Sequence, residues 1–94
     1  MVNAVLLVEV KEGHLEHVKQ QIELLGAETL KEEGCILYNA YYSTNNPNTV
    51  CFVEQWESQE HLDKHLETEH IKTYRQNTAD MFVSRNFNML NKIV

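Results

Sequence analysis

Val2-Asn3-Ala4-Val5-Leu6-Leu7-Val8-Glu9-Val10 is the stretch that decides the fold. Val2, Ala4, Leu6, Val8 and Val10 fall on one face of a strand, and Val5 and Leu7 on the other. A strand this apolar on both faces has to be covered on both. The run lacks a basic start, and Glu9 interrupts it long before the roughly 20 residues a membrane span needs. It reads as a buried strand, and the expected location is the cytoplasm.

From Leu15 the period lengthens. Leu15, Val18, Ile22, Leu25 and Thr29 follow steps of three and four and form one helical stripe, with Glu16, Lys19, Gln20 and Glu23 around it. Gly26 is tolerated inside this helix at about 1 kcal/mol. Gly34 is placed as its C-terminal stop. Cys35 to Tyr42 and Thr49 to Trp56 read as strands, joined by the turn formers Ser43-Thr44-Asn45-Asn46-Pro47-Asn48. Ser58 can cap a helix carrying Leu62 and Leu66, and Thr68 another carrying Ile71, Tyr74 and Ala79. Met81 to Val94 closes as an extended segment with Met81, Val83, Phe87 and Met89 on one face.

The order β-α-β-β-α-α-β predicts an α+β fold of ferredoxin-like type. It has a four-stranded antiparallel sheet with helices on one face, in one domain over residues 1–94. Those helices leave the other face of the sheet open, and a second copy of the chain is the simplest cover. A chain this short buries a modest core, which also favours a homodimer.

Composition narrows the function. With 43% hydrophobic and 23% charged residues the chain is expected to fold throughout. Its formal charge of −6 repels phosphate backbones and anionic lipid, so neither nucleic acid nor membrane is an expected partner. Two cysteines define no scaffold. A hairpin turning near Asn46 sets Cys35 opposite Glu57 and Cys51 opposite Tyr41, roughly 20 Å apart at about 3.3 Å per residue, so reduced thiols are expected.

Glu54 and Trp56 share a strand face with Val50 and Phe52, which puts a carboxylate among large apolar groups. Desolvation there raises its pKa and suits it to proton transfer near neutral pH. The alternative is an ion pair with Arg85 or Lys92, and spacing leaves both open. Among five histidines, His61 and His65 stand at i, i+4 with His70 following. That set lacks the Glu beside the first His that zinc proteases use, so no metal site is expected. Tyr38 and Tyr74 are candidates to orient a phenolic substrate through their hydroxyls. Phosphate loops, nucleophile elbows and nucleotide fingerprints are absent.

Three segments occur in order: Leu30-Lys31-Glu32-Glu33-Gly34-Cys35, Phe52-Val53-Glu54-Gln55-Trp56-Glu57-Ser58, and His65-Leu66-x-Thr68-x-His70-x-Lys72-x-Tyr74. Together they resemble the antibiotic biosynthesis monooxygenase domain over nearly the whole chain, and the small bacterial quinol monooxygenases in particular. The resemblance implies a dimeric α/β barrel in which two sheets pack together. It implies oxidation of a quinol or phenol by O2 with no cofactor, Glu54 or His65 acting as base, Trp56 and Tyr74 shaping the pocket, and His70 orienting a neighbour or the substrate. The alternatives are a non-catalytic dimer of the same fold that binds a small molecule, a relative that isomerises or processes a phosphorylated sugar, and a haem-degrading relative. Haem-degrading relatives use an Asn, a Trp and a haem-ligating His where Leu6, His65 and Arg75 fall here, and the phosphorylated-sugar branch would want cations where only Lys72, Arg75 and Arg85 are near.

Overall fold

The computed structural model describes residues 1–94. The elements are β1 (Val2–Val10), α1 (Leu15–Thr29), β2 (Cys35–Tyr42), β3 (Thr49–Trp56), α2 (Gln59–His65), α3 (Glu69–Asn77) and β4 (Phe82–Leu90). The strands form one antiparallel sheet in the order β2-β3-β1-β4, which is the ferredoxin-like order expected. No helix is long and apolar enough to cross a membrane.

The core lies between the sheet and its helices. Ala4, Val8 and Val10 of β1 and Val50, Phe52 and Trp56 of β3 are buried against Val18 and Leu25 of α1, Leu62 of α2 and Ile71 of α3. The helical stripe is therefore the predicted one. Leu15 and Ile22 pack at its margin. The helix stops sooner than expected, because α1 closes at Thr29, whose Oγ1 donates to the Leu25 carbonyl at 2.8 Å.

Gly34 does a different task. Its φ is +83°, and a Cβ there would run into the His61 ring. Only glycine fits that turn. The Gly34 carbonyl accepts the Glu57 N–H at 2.8 Å, which ties the entry of β2 to the end of β3. Ser58 and Thr68 cap α2 and α3 as expected, accepting from the N–H groups of His61 and Ile71.

Two bulges correct the predicted faces. From Tyr42↔Val50 to Leu37↔Gln55 the hairpin keeps the expected register, with Tyr41 opposite Cys51. The register then shifts between Cys35 and Leu37, and Cys35 pairs with Trp56 instead of Glu57. The thiols remain far apart and free. A second shift, between Glu9 and Val10, brings Phe82 opposite Val10. Phe82 thus takes the core-facing place expected of Val83, which is exposed. Tyr41 and Tyr42 are both exposed, the latter under the Lys19 ammonium.

Within this chain the outer sheet face is open to solvent, with Leu7, Leu37, Tyr41 and Leu90 exposed on it.

Candidate active site

A cavity of about 310 Å³ lies between the sheet and the helices, walled mainly by apolar groups including Leu6, Val8, Phe52, Ile71, Phe82 and Phe87. Glu54, His65, Tyr38 and Tyr74 also reach it. Four of the six expected site residues thus meet in one place. Trp56 and His70 do not line the cavity, and both stand behind its polar groups.

Trp56 is fully buried at the end of β3. Its indole Nε1–H donates to Glu54 Oε1 at 3.0 Å, as two side chains on the same strand face can. This replaces the ion pair with Arg85 or Lys92 that spacing had left open. Burial raises the Glu54 pKa, opposed by the Trp56 hydrogen bond, His65 and Arg85. The carboxyl therefore holds its proton to higher pH than an exposed one.

His65 ends α2 almost fully buried, its ring 4.8 Å from that of Trp56 and 5.5 Å from that of Tyr38. Its Nδ1–H donates to Glu32 Oε2 at 2.7 Å. His70, in the first turn of α3, donates Nε2–H to the same oxygen, also at 2.7 Å. One carboxylate from the turn after α1 thereby holds an imidazole from each of two helices. Sequence reasoning missed Glu32. The signal available was the Glu-Glu-Gly-Cys segment, whose first acid faces inward while Glu33 is exposed.

A carboxylate on Nδ1 fixes the neutral ring with its lone pair on Nε2. No buried side-chain nitrogen or oxygen is sealed off without a partner. Nε2 of His65 and Oε2 of Glu54 make no bond to the protein, so both are open to the cavity they line. Burial pushes the Tyr74 pKa up to about 12, and it pushes Tyr38 higher still. Both phenols stay neutral donors at physiological pH.

The ligand atoms of Glu32, His65 and His70 lie within 4.8 Å of one another, a set that suits a divalent metal. The shared oxygen is 2.7 Å from each nitrogen, however. Tetrahedral coordination at about 2.0–2.1 Å would set these atoms roughly 3.3 Å apart. The observed spacing is that of shared protons. His61 is not in the cluster, since its Nδ1 is paired with Ser58 Oγ at 2.7 Å. The three haem-branch positions, Leu6, His65 and Arg75, all line the cavity, where leucine, histidine and arginine stand in place of Asn, Trp and His.

A ferredoxin-like sheet covered by helices, with an apolar cavity between them and a carboxylate-held imidazole on its wall, defines an α+β domain with a site of small-molecule size. The antibiotic biosynthesis monooxygenase family model matches residues 1–77. The chain belongs to that family. It is 31% identical over 85 residues to "Probable quinol monooxygenase YgiN" of Escherichia coli K12, covering 82% of each chain. Among solved structures, a conserved protein of Methanosarcina mazei Go1 superposes with TM-score 0.90 at 28% identity, over 97% of this chain and 91% of that one. An antibiotic biosynthesis monooxygenase at 19% identity superposes with TM-score 0.93 over the full length of both and shows the fold alone.

Proposed function

We propose that the protein is a cofactor-independent monooxygenase that oxidises a small quinol or phenol with O2. The observation that carries this reading is the His65 imidazole, held by Glu32 on one side and open on the other to an apolar cavity that also holds Glu54.

His65 Nε2 takes the phenolic proton. The Tyr38 and Tyr74 hydroxyls orient the resulting anion, whose electron richness makes it a reductant for O2. One oxygen atom joins a ring carbon, and the O–O bond breaks as the distal oxygen is protonated and leaves as water. The substrate supplies all four electrons, so quinol and O2 give hydroxyquinone and H2O. Glu54 is suited to deliver the proton to the leaving oxygen because burial keeps it protonated longer. The dry walls exclude water from the reactive anion.

The same reading makes the protein a cytoplasmic homodimer, joined through the outer sheet face that carries Leu7, Leu37, Tyr41 and Leu90. Sedimentation at micromolar concentration tests this, and a monomer would contradict it.

The reaction is tested with ¹⁸O2 and 1,4-naphthalenediol, following product by mass spectrometry. One labelled oxygen per product molecule is expected. Saturable binding with no labelled product would mark the protein as a binding module instead.

A further inference from the structure

The chain has two arginines, Arg75 and Arg85, and both lie on the wall of the one cavity that holds Glu54 and His65. They come from different elements. Arg75 follows Tyr74 in the last turn of α3, and Arg85 stands on β4 opposite Val8. Neither forms an ion pair or hydrogen bond with the protein. In a chain with fourteen Asp and Glu and a net charge of −6, the only two guanidinium groups line the same cavity. Most lysines are unpaired as well, only Lys19 and Lys31 having carboxylate partners, so what sets the arginines apart is their place on one cavity wall.

We infer that the substrate is an aromatic acid, its carboxylate held by Arg75 and Arg85 at the cavity mouth with its phenol end at His65 and Glu54. This rests on the reading of the cavity as a monooxygenase site and names its substrate class. A guanidinium offers a planar fork of donors that matches a carboxylate, and two forks from α3 and β4 fix direction as well as charge. Along β1, the partner of Arg85 is Val8 and that of Glu54 is Ala4, an offset of roughly 13 Å at about 3.3 Å per residue. The arginine side chain spans part of that length, and a bicyclic aromatic acid spans the rest. The volume of about 310 Å³ sits at the small end of ligand pockets and suits such a ring system. The positive field reaches inward too, since Arg85 opposes the effect of burial on both Glu54 and Tyr74.

Calorimetry under argon with 2-naphthoate and 2-naphthol tests this without turnover. The wild type should bind 2-naphthoate at least tenfold more tightly. The Arg75→Gln, Arg85→Gln double variant should bind the two alike, while Arg75→Lys, Arg85→Lys retains part of the preference because the charge survives. Equal affinities in the wild type, or a preference that survives the glutamine pair, would overturn the inference. Oxygen uptake with 1,4-dihydroxy-2-naphthoate and 1,4-naphthalenediol separates the two claims. Carboxylate-selective binding without uptake leaves the aromatic-acid site standing and removes the oxygenase reading. Uptake with both quinols at equal kcat/KM does the reverse.

Discussion

His65 Nδ1 lies 2.7 Å from Glu32 Oε2 across 33 positions of sequence, and the same oxygen carries the hydrogen bond from His70. The carboxylate therefore sets the ring angle of the one imidazole that opens into the cavity, and it does so from a turn rather than from a regular element.

Glu32→Ala should slow turnover far more than it weakens binding. Misplacing a base by about 1 Å can cost about 10²-fold in rate, so kcat is expected to fall roughly that far with KM nearly unchanged. Losing hydrogen bonds to a charged group costs about 1.5–3 kcal/mol, so the melting temperature should drop as well. Glu32→Gln keeps an acceptor and should recover most of the stability but not the rate. Steady-state kinetics beside thermal unfolding separate the two effects.

Glu54 makes stability depend on pH in a definite direction. Its folded pKa is raised, so the native state binds the proton more tightly than the unfolded chain does. Its contribution is complete below the unfolded carboxylate value of about 4.3 and is lost as pH rises through the higher folded value. Glu54→Gln lacks this dependence while its amide oxygen still accepts from Trp56. The variant should accordingly gain melting temperature relative to wild type as pH rises from 4 to 8, and a constant difference would refute the assignment.

Gly34→Ala should be destabilising by more than a surface alanine substitution. The left-handed backbone costs about 1–2 kcal/mol for a residue with a Cβ, and the added carbon meets the His61 ring. Chemical denaturation should give a loss of at least about 2 kcal/mol by these terms.

Chelation tests the reading of the Glu32, His65 and His70 cluster as a hydrogen-bonded set. Protein dialysed against a strong chelator should keep its turnover, and added Zn²⁺ or Co²⁺ should not raise it. A chelator-induced loss restored by one metal would make these three residues ligands.

Much of the fold was legible because its signals are periodic. The two-faced apolar pattern of Val2–Val10 marked β1, the stripe through Val18 and Leu25 marked α1, and the turn at Asn46 set the register from Tyr42 to Leu37. Alternation fails where one residue is inserted. Ile36 moves Cys35 onto Trp56, and the shift after Glu9 exchanges Phe82 for Val83, and neither leaves a mark in composition.

The site was legible to the same extent. Glu54 beside Trp56 follows from the two-residue period of a strand, whereas His65 was reached through the resemblance of the segment His65-Leu66-x-Thr68-x-His70. Glu32 was hidden because it lies in an irregular turn beside another glutamate, where only the three-dimensional path decides which acid turns inward. Arg75 and Arg85 were legible as cations near the pocket, but only the placement of α3 and β4 around it shows that both stand on its wall while Lys72 does not.

The most direct test of the central claim is oxygen consumption by chelator-treated protein with an anaerobically reduced quinol, corrected for spontaneous oxidation, in wild type and His65→Gln. General-base catalysis contributes about 10²–10⁴-fold. Uptake well above background in the wild type, and lower by at least about 10²-fold in the variant, is the predicted result. Equal rates in the two proteins would contradict the role of His65, and uptake no faster than background in the wild type would contradict the oxygenase itself.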